Sequence, residues 1–132
     1  MMAEQGEELQ RILYVEDDAD IRAVAELALE TVGGFSVKSC SSGQEALLEG
    51  PDFAPELILL DVMMPGMDGP STFHAMQQIP ALQGRPVVFM TAKVQTEEIA
   101  FYRELGAVEV IPKPFDPMTL ADQIRDIWTS KV

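Results

Sequence analysis

Hydrophobic and polar positions along this chain switch between two periods. Five short segments each fit a β-strand: the mainly apolar stretches at residues 12–15, 57–60, 86–90 and 107–111, and the alternating stretch at 35–40. The run at 57–60 is apolar at every position, the pattern of a strand covered on both faces. Between the runs the spacing becomes helical. Ile21, Val24, Ala25, Leu27, Ala28 and Val32 recur at three- and four-residue intervals, with Asp18 placed as N-cap and Gly33-Gly34 as the stop. Ser42 caps a short second helix through Leu48, ended by Gly50-Pro51. A third helix is expected over 71–79. A fourth runs from a Thr96 cap through Leu105 and stops at Gly106. The last, over 117–128, keeps Leu120, Ile124, Ile127 and Trp128 on one face.

Strands alternating with helices predict an α/β fold: a single five-stranded parallel sheet, doubly wound, with helices on both faces. Five β-α units in 132 residues fit the flavodoxin-like (βα)5 order 2-1-3-4-5. Residues 1–10 read as a flexible polar leader and 11–130 as one domain. The switch point of this order falls between strands 1 and 3, and open sheets bind their ligands there, beyond the strands' C-terminal ends. Strand 1 ends in Glu16 and Asp17, and strand 3 ends in Asp61.

Carboxylates converging on one point repel each other, so something must compensate. Hard oxygen donors suit a hard divalent cation, and Mg²⁺, which keeps several waters and takes few protein ligands, is the first choice. Asp18 and Asp20 are explained without a ligand, because acids in a helix's first turn complement its dipole. A phosphoryl group bridged to the protein by Mg²⁺ fits the remaining residues. Lys113 offers a point charge, and Thr91 a hydroxyl, each just after an apolar strand. Asp61 is then the nucleophile that becomes an acyl phosphate, Asp17 holds the metal, and Glu16 acts mainly through water around the ion. Taken singly, each has an ordinary reading: a capping aspartate, a turn threonine, a solvated lysine.

The formal charge of −13 argues against nucleic acid or an anionic membrane as a direct partner. Cys40 is the only cysteine, which rules out an intramolecular disulfide, suits a reducing compartment, and reads as a small hydrophobe on a strand. The acidic start of the chain is unlike a signal peptide, and no apolar run reaches membrane-spanning length. A cytoplasmic protein is expected. His74, the lone histidine, falls on the third helix away from the site.

Four segments in order, I-L-Y-V-E-D-D, D-V-M-M-P-G-M-D-G, V-V-F-M-T-A and I-P-K-P-F, resemble the receiver domain of two-component response regulators. The intervals agree too: 44, 30 and 22 residues between Asp17, Asp61, Thr91 and Lys113. The resemblance covers about residues 10–130. It implies a CheY-like receiver whose Asp61 takes a phosphoryl group from a histidine kinase or histidine phosphotransfer protein. It implies a Mg²⁺ site of Glu16, Asp17, Asp61 and the backbone carbonyl of Met63. It makes Thr91 and Lys113 the residues that contact the phosphoryl group, with a Lys113–Pro114 bond that is commonly cis. The output implied is a phosphorylation-dependent protein contact by a stand-alone receiver, a monomer or weak dimer, and not an enzyme acting on an outside substrate.

The sequence departs from the family at two places. Glu16 stands where Asp is usual, which keeps the charge. Val110 stands where the family often has Tyr or Phe, so a rotamer switch at that position cannot operate in its usual form. A phosphorylation-independent docking module is the alternative. A flavodoxin-like electron carrier would need a phosphate-cradling loop after strand 1, which is acidic here. A haloacid-dehalogenase-type phosphatase would need D-x-D, and Met63 takes the second position. Phe101 and Tyr102, on the fourth helix, are expected to divide between core and rim.

Met63 offers attacking water no hydrogen bond, so a phosphorylated Asp61 should not be among the shortest-lived. Decay of the label on wild type is expected to be slower than on Met63→Asn. An equal or slower decay in the variant would remove the idea.

Overall fold

A computed structural model of the chain describes residues 8–132. Its elements are β1 (Arg11–Val15), α1 (Ala19–Glu26) running on into a π-helical segment Leu27–Val32, β2 (Ser36–Cys40), α2 (Gly43–Phe53), β3 (Leu57–Asp61), α3 (Gly69–Met76), β4 (Val87–Thr91), α4 (Thr96–Leu105), β5 (Glu109–Pro112) and α5 (Leu120–Lys131). The strands form one parallel sheet in the order β2-β1-β3-β4-β5, as the alternation of periods predicts.

Side chains alternate across each strand, and this divides the core in two. Ile12, Tyr14, Leu57, Leu59, Val88 and Met90 pack toward Ala25, Leu29, Leu120 and Ile124 of the α1 and α5 layer. Leu13, Val15, Ile58, Leu60, Val87 and Phe89 pack toward Ala46, Met76 and Tyr102 on the other side. β3 and β4 are buried at every position, which is why their sequence carries no polar alternation.

Several boundaries differ from the sequence expectation. α2 does not stop at Gly50-Pro51 but continues to Phe53. Gly50 is a packing residue here: a Cβ on it would come within 2.9 Å of Leu13 Cδ2. Pro51 lies in the last turn, and the real stop is Ala54, in the left-handed region at φ 54°, whose N–H reaches the carbonyls of Gly50 and Pro51. α3 starts earlier than expected, because the Asp68 carboxylate accepts from Ser71 N–H at 2.8 Å. α4 is capped by Gln95 rather than Thr96, and the Glu98 carboxylate closes the turn by accepting the Gln95 N–H at 3.1 Å. α5 begins at Leu120, since Asp116 gathers the N–H groups of Met118, Thr119 and Leu120 into a turn first.

Residues 1–7 of the expected leader lie outside the described residues. Leu9 belongs to the core at 5% exposure, and the Gln10 and Arg11 N–H groups both bond Glu56 Oε1 at 2.8 Å, so packing begins before Arg11. Cys40 is buried, and burial pushes its thiol up to about 12, which fits its reading as a hydrophobe.

Leu59, fully buried at the centre of the sheet, measures the core. Leu59→Ala is expected to cost roughly 2–5 kcal/mol in chemical denaturation, and a loss below about 1 kcal/mol would contradict this packing.

Candidate functional site

The site lies where β1, β3, β4 and β5 end. The β3–β4 register pairs Asp61 with Met90, and the β4–β5 register pairs Thr91 with Pro112. Asp61, Thr91 and Lys113 therefore stand side by side. Glu16 extends β1 by one residue, because its N–H bonds the Cys40 carbonyl at 3.0 Å, and this brings it beside Asp61.

The side chains of Glu16, Asp17, Asp61 and Lys113 meet here, with Thr91 at the end of the neighbouring strand and the Met63 side chain turned away. Glu16, Asp61 and Thr91 are buried and Asp17 is exposed. Glu16, Asp17 and Asp61 each bring a carboxylate oxygen within 4.8 Å of the others. Lys113 Nζ bridges two of them, donating to Glu16 Oε1 and Asp61 Oδ1 at 2.9 Å each. Glu16 Oε2 accepts from the Asp18 N–H at 3.1 Å, and Thr91 Oγ1 accepts from the Lys93 N–H at 3.0 Å. Met63 lies two residues beyond Asp61, in the loop before α3, with its side chain 62% exposed. The Lys113–Pro114 bond is cis. Asp18 caps α1, accepting from the N–H groups of Asp20 and Ile21, which bears out its ordinary reading. His74 is exposed on α3, away from the cluster.

Two contributors escaped the sequence reading. Arg22 Nη1 donates to the Glu16 carbonyl at 2.8 Å and the Asp17 carbonyl at 3.4 Å, tying the acidic loop to α1. Its signal was a lone cation four residues past the helix cap. Gly69 comes so close to β3 that a Cβ there would meet the Asp61 carbonyl at 2.6 Å and Val62 Cα at 2.8 Å. Its N–H bonds the Val62 carbonyl at 2.9 Å, so only glycine lets α3 start against the strand that carries Asp61. An open apolar cleft of about 440 Å³ adjoins Lys113, between Ile21 and Val24 on one side and Ala92, Pro114 and Phe115 on the other.

Burial raises the Asp61 carboxyl to about 6, with the Lys113 hydrogen bond opposing and the Glu16 charge assisting. Burial by itself would lower the Lys113 ammonium, but its hydrogen bonds to Asp61 and Glu16 outweigh that, and it stays firmly charged. One ammonium faces three carboxylates. The donor set is all oxygen, one-sided in charge and open toward solvent at Asp17, and these residues fit a small hard dication. Such an arrangement can hold a carboxylate nucleophile beside a cation-assisted anion site.

Fold and site thus define a doubly wound α/β domain built around an acidic pocket at its switch point. A family model described as the response regulator receiver domain matches residues 12–125, and the chain belongs to that family. The DNA-binding response regulator MtrA of Mycobacterium tuberculosis is 36% identical over 116 residues, covering 88% of this chain and 49% of the relative. The chain thus spans about half the length of the curated relatives it matches. Among solved structures, the chemotaxis response regulator CheY4 of Vibrio cholerae superposes with a TM-score of 0.82 at 26% identity, covering 90% of this chain and 98% of that one. A putative response regulator from Chloroflexus aurantiacus gives 0.80 at 29% identity, covering 92% and 98%. No helix among the described residues is long and apolar enough to cross a membrane.

The raised Asp61 pKa has a consequence for stability. Between pH 3.8, its ordinary value, and about 6, the folded protein holds a proton that the unfolded chain has released. Stability therefore falls as pH rises through that window, and the cost is complete above it. In EDTA at pH 7.5, Asp61→Asn is expected to be more stable than wild type, by roughly 1–3 kcal/mol. The gain should fade below about pH 4, and excess Mg²⁺ should narrow it by stabilising wild type alone. A variant no more stable than wild type at pH 7.5 would contradict the burial cost assigned to Asp61.

Proposed function

We propose that this receiver domain accepts a phosphoryl group on Asp61 from a phosphohistidine donor, on a histidine kinase or histidine phosphotransfer protein, and thereby changes the surface it offers a partner protein. The observation that carries this reading is the Lys113 ammonium bridging Asp61 and Glu16 in a buried pocket. A carboxylate held in this way is aimed and ionised above about pH 6.

Lys113 occupies Asp61 Oδ1, so Oδ2 carries the attacking electron pair. The new bond runs from Oδ2 to phosphorus, the bond from phosphorus to the donor's histidine nitrogen breaks, and the imidazole leaves with that electron pair. Glu16 and Asp17, with Asp61 and the Met63 carbonyl, would hold Mg²⁺, which supplies positive charge for the phosphoryl oxygens. Lys113 Nζ is close enough to follow the charge from Asp61 to a phosphoryl oxygen, and the Thr91 hydroxyl lies at the end of the neighbouring strand. Water later cleaves the acyl phosphate. The domain thus changes only itself and turns over no outside substrate. With a charge of −13, any contact with DNA would fall to a part of a longer protein rather than to this surface.

Labelled acetyl phosphate tests the reading. Wild type is expected to take label only with Mg²⁺, and Asp61→Asn to take none. A folded wild-type protein that takes no label under any condition would overturn phosphoryl acceptance. It would favour the phosphorylation-independent docking module, which the absence of an aromatic at Val110 otherwise supports.

A further inference from the structure

Side chains alternate across a strand, so each side chain of the buried pocket stands above the residue two places before it. Beneath Glu16 is Tyr14. Beneath Asp61 is Leu59, which the β1–β3 register pairs with Tyr14. Beneath Lys113 is Ile111. Tyr14, Leu59 and Ile111 all pack into the core on the α1 and α5 side, so they form one floor. Leu59 and Ile111 are hydrocarbon. Tyr14, 0% exposed, carries a hydroxyl that has no hydrogen-bond partner among the described residues. A phenylalanine would fill the same space and leave no polar atom unpaired in the core, so the hydroxyl is a cost that the fold does not need. The step from residue 14 to residue 16 is about 6.6 Å along the strand, within the length of a tyrosine side chain. Burial, and then the negative charges of Glu16 and Asp61, hold the phenol in its protonated, donating form.

Glu16 has a donor on each oxygen: Lys113 Nζ on Oε1 and the Asp18 N–H on Oε2. Lys113 is shared with Asp61. A phosphoryl group on Asp61 draws the ammonium toward itself, and Glu16 Oε1 is then buried without its cation. We propose that Tyr14 is a positioning residue for Glu16, whose hydroxyl donates to the Glu16 carboxylate once Lys113 turns to the phosphoryl group and so keeps that carboxylate charged and in place. This rests on phosphoryl acceptance at Asp61. The Tyr14–Glu16 bond exists in the loaded state alone, and the unpaired hydroxyl burdens the unloaded state alone. Both effects favour loading, and a hydrogen bond to a carboxylate is of the stronger kind.

Fluoroberyllate with saturating Mg²⁺, a stable mimic of the phosphoryl group, makes the comparison an equilibrium one. Tyr14→Phe keeps the ring and its packing between the sheet and α1, so the fold is retained. The variant is expected to bind fluoroberyllate about five- to fiftyfold more weakly than wild type, read by fluorine NMR. In EDTA, without fluoroberyllate, its Tm is expected to equal or exceed that of wild type. With only two tyrosines in the chain, carbon-13 labelling of the ring carbon that bears the hydroxyl gives two signals, and the one missing from the variant is Tyr14. That signal is expected to move on loading in wild type. Equal or tighter binding by the variant, or a Tyr14 signal unmoved by loading, would overturn the role of Tyr14 while acetyl phosphate still labels Asp61. A lower Tm for the variant in EDTA would show a hydroxyl already partnered before loading, and would overturn it as well. A wild type that neither binds fluoroberyllate nor takes label would overturn phosphoryl acceptance, and this role with it.

Discussion

The fold depends on a local conflict that Lys113 partly resolves. Parallel strands that end together bring their terminal side chains together, and here those side chains are acids. Glu16 and Asp61 are buried beside each other and Asp17 stands at the rim. In a medium less polarisable than water their repulsion is strengthened, and so is the attraction of each to a nearby cation. Lys113 Nζ, 2.9 Å from both buried carboxylates, is the cation that makes this arrangement compatible with folding. Burial first, and then the Glu16 charge, still hold the Asp61 carboxyl above its ordinary value despite the Lys113 hydrogen bond. That residual strain makes the pocket receptive to further positive charge.

Everything around the pocket fixes its geometry rather than adding charge. The Arg22 guanidinium goes to backbone carbonyls of the acidic loop, so it shapes the loop and leaves the carboxylates free to face inward. Gly69 lets α3 start in contact with the backbone of Asp61, so the nucleophile's strand is held by a helix start with no side chain between them. The Lys113 N–H bonds the Thr91 carbonyl at 2.9 Å, which continues the sheet one step past β5 and fixes where the ammonium begins its reach.

The sheet order, the meeting of Glu16, Asp17, Asp61 and Lys113, and the place of Thr91 beside them at a strand end could be read from the sequence because they follow from periodicity and strand ends, which are local. What could not be read depended on contacts between distant segments. Gly50 looks like a helix stop until Leu13 is seen packed against it. Gln95 looks unremarkable beside Thr96 until Glu98 folds back to its N–H. Gly69 looks like a turn residue, and only the closeness of Asp61 shows why no other residue fits. Tyr102 and Phe101 could be split between core and rim by helical spacing, but the ring that Tyr102 packs on could not be foreseen, because Phe89 arrives from another element.

Tyr102 also bears on how a pocket at the strand ends can be felt at the surface. A charge event beside Asp61 acts over a few ångströms, and solvent screens it beyond that. Transmission needs a packed element with two arrangements. The ring series Phe73, Phe89, Tyr102 and Phe101 is a packed run from the core to the surface of α4, with successive centroids 6.0, 5.3 and 5.5 Å apart and contacts all edge-on. Edge-on rings pack as a unit, so a turn of one requires the next to follow or to lose contact. Phe89 and Phe73 are anchored between β4 and α3, whereas Phe101 and the exposed Val94 and Leu105 lie at the outer end. The inner end of the series is buried in the core and its outer end, Phe101, meets solvent on α4.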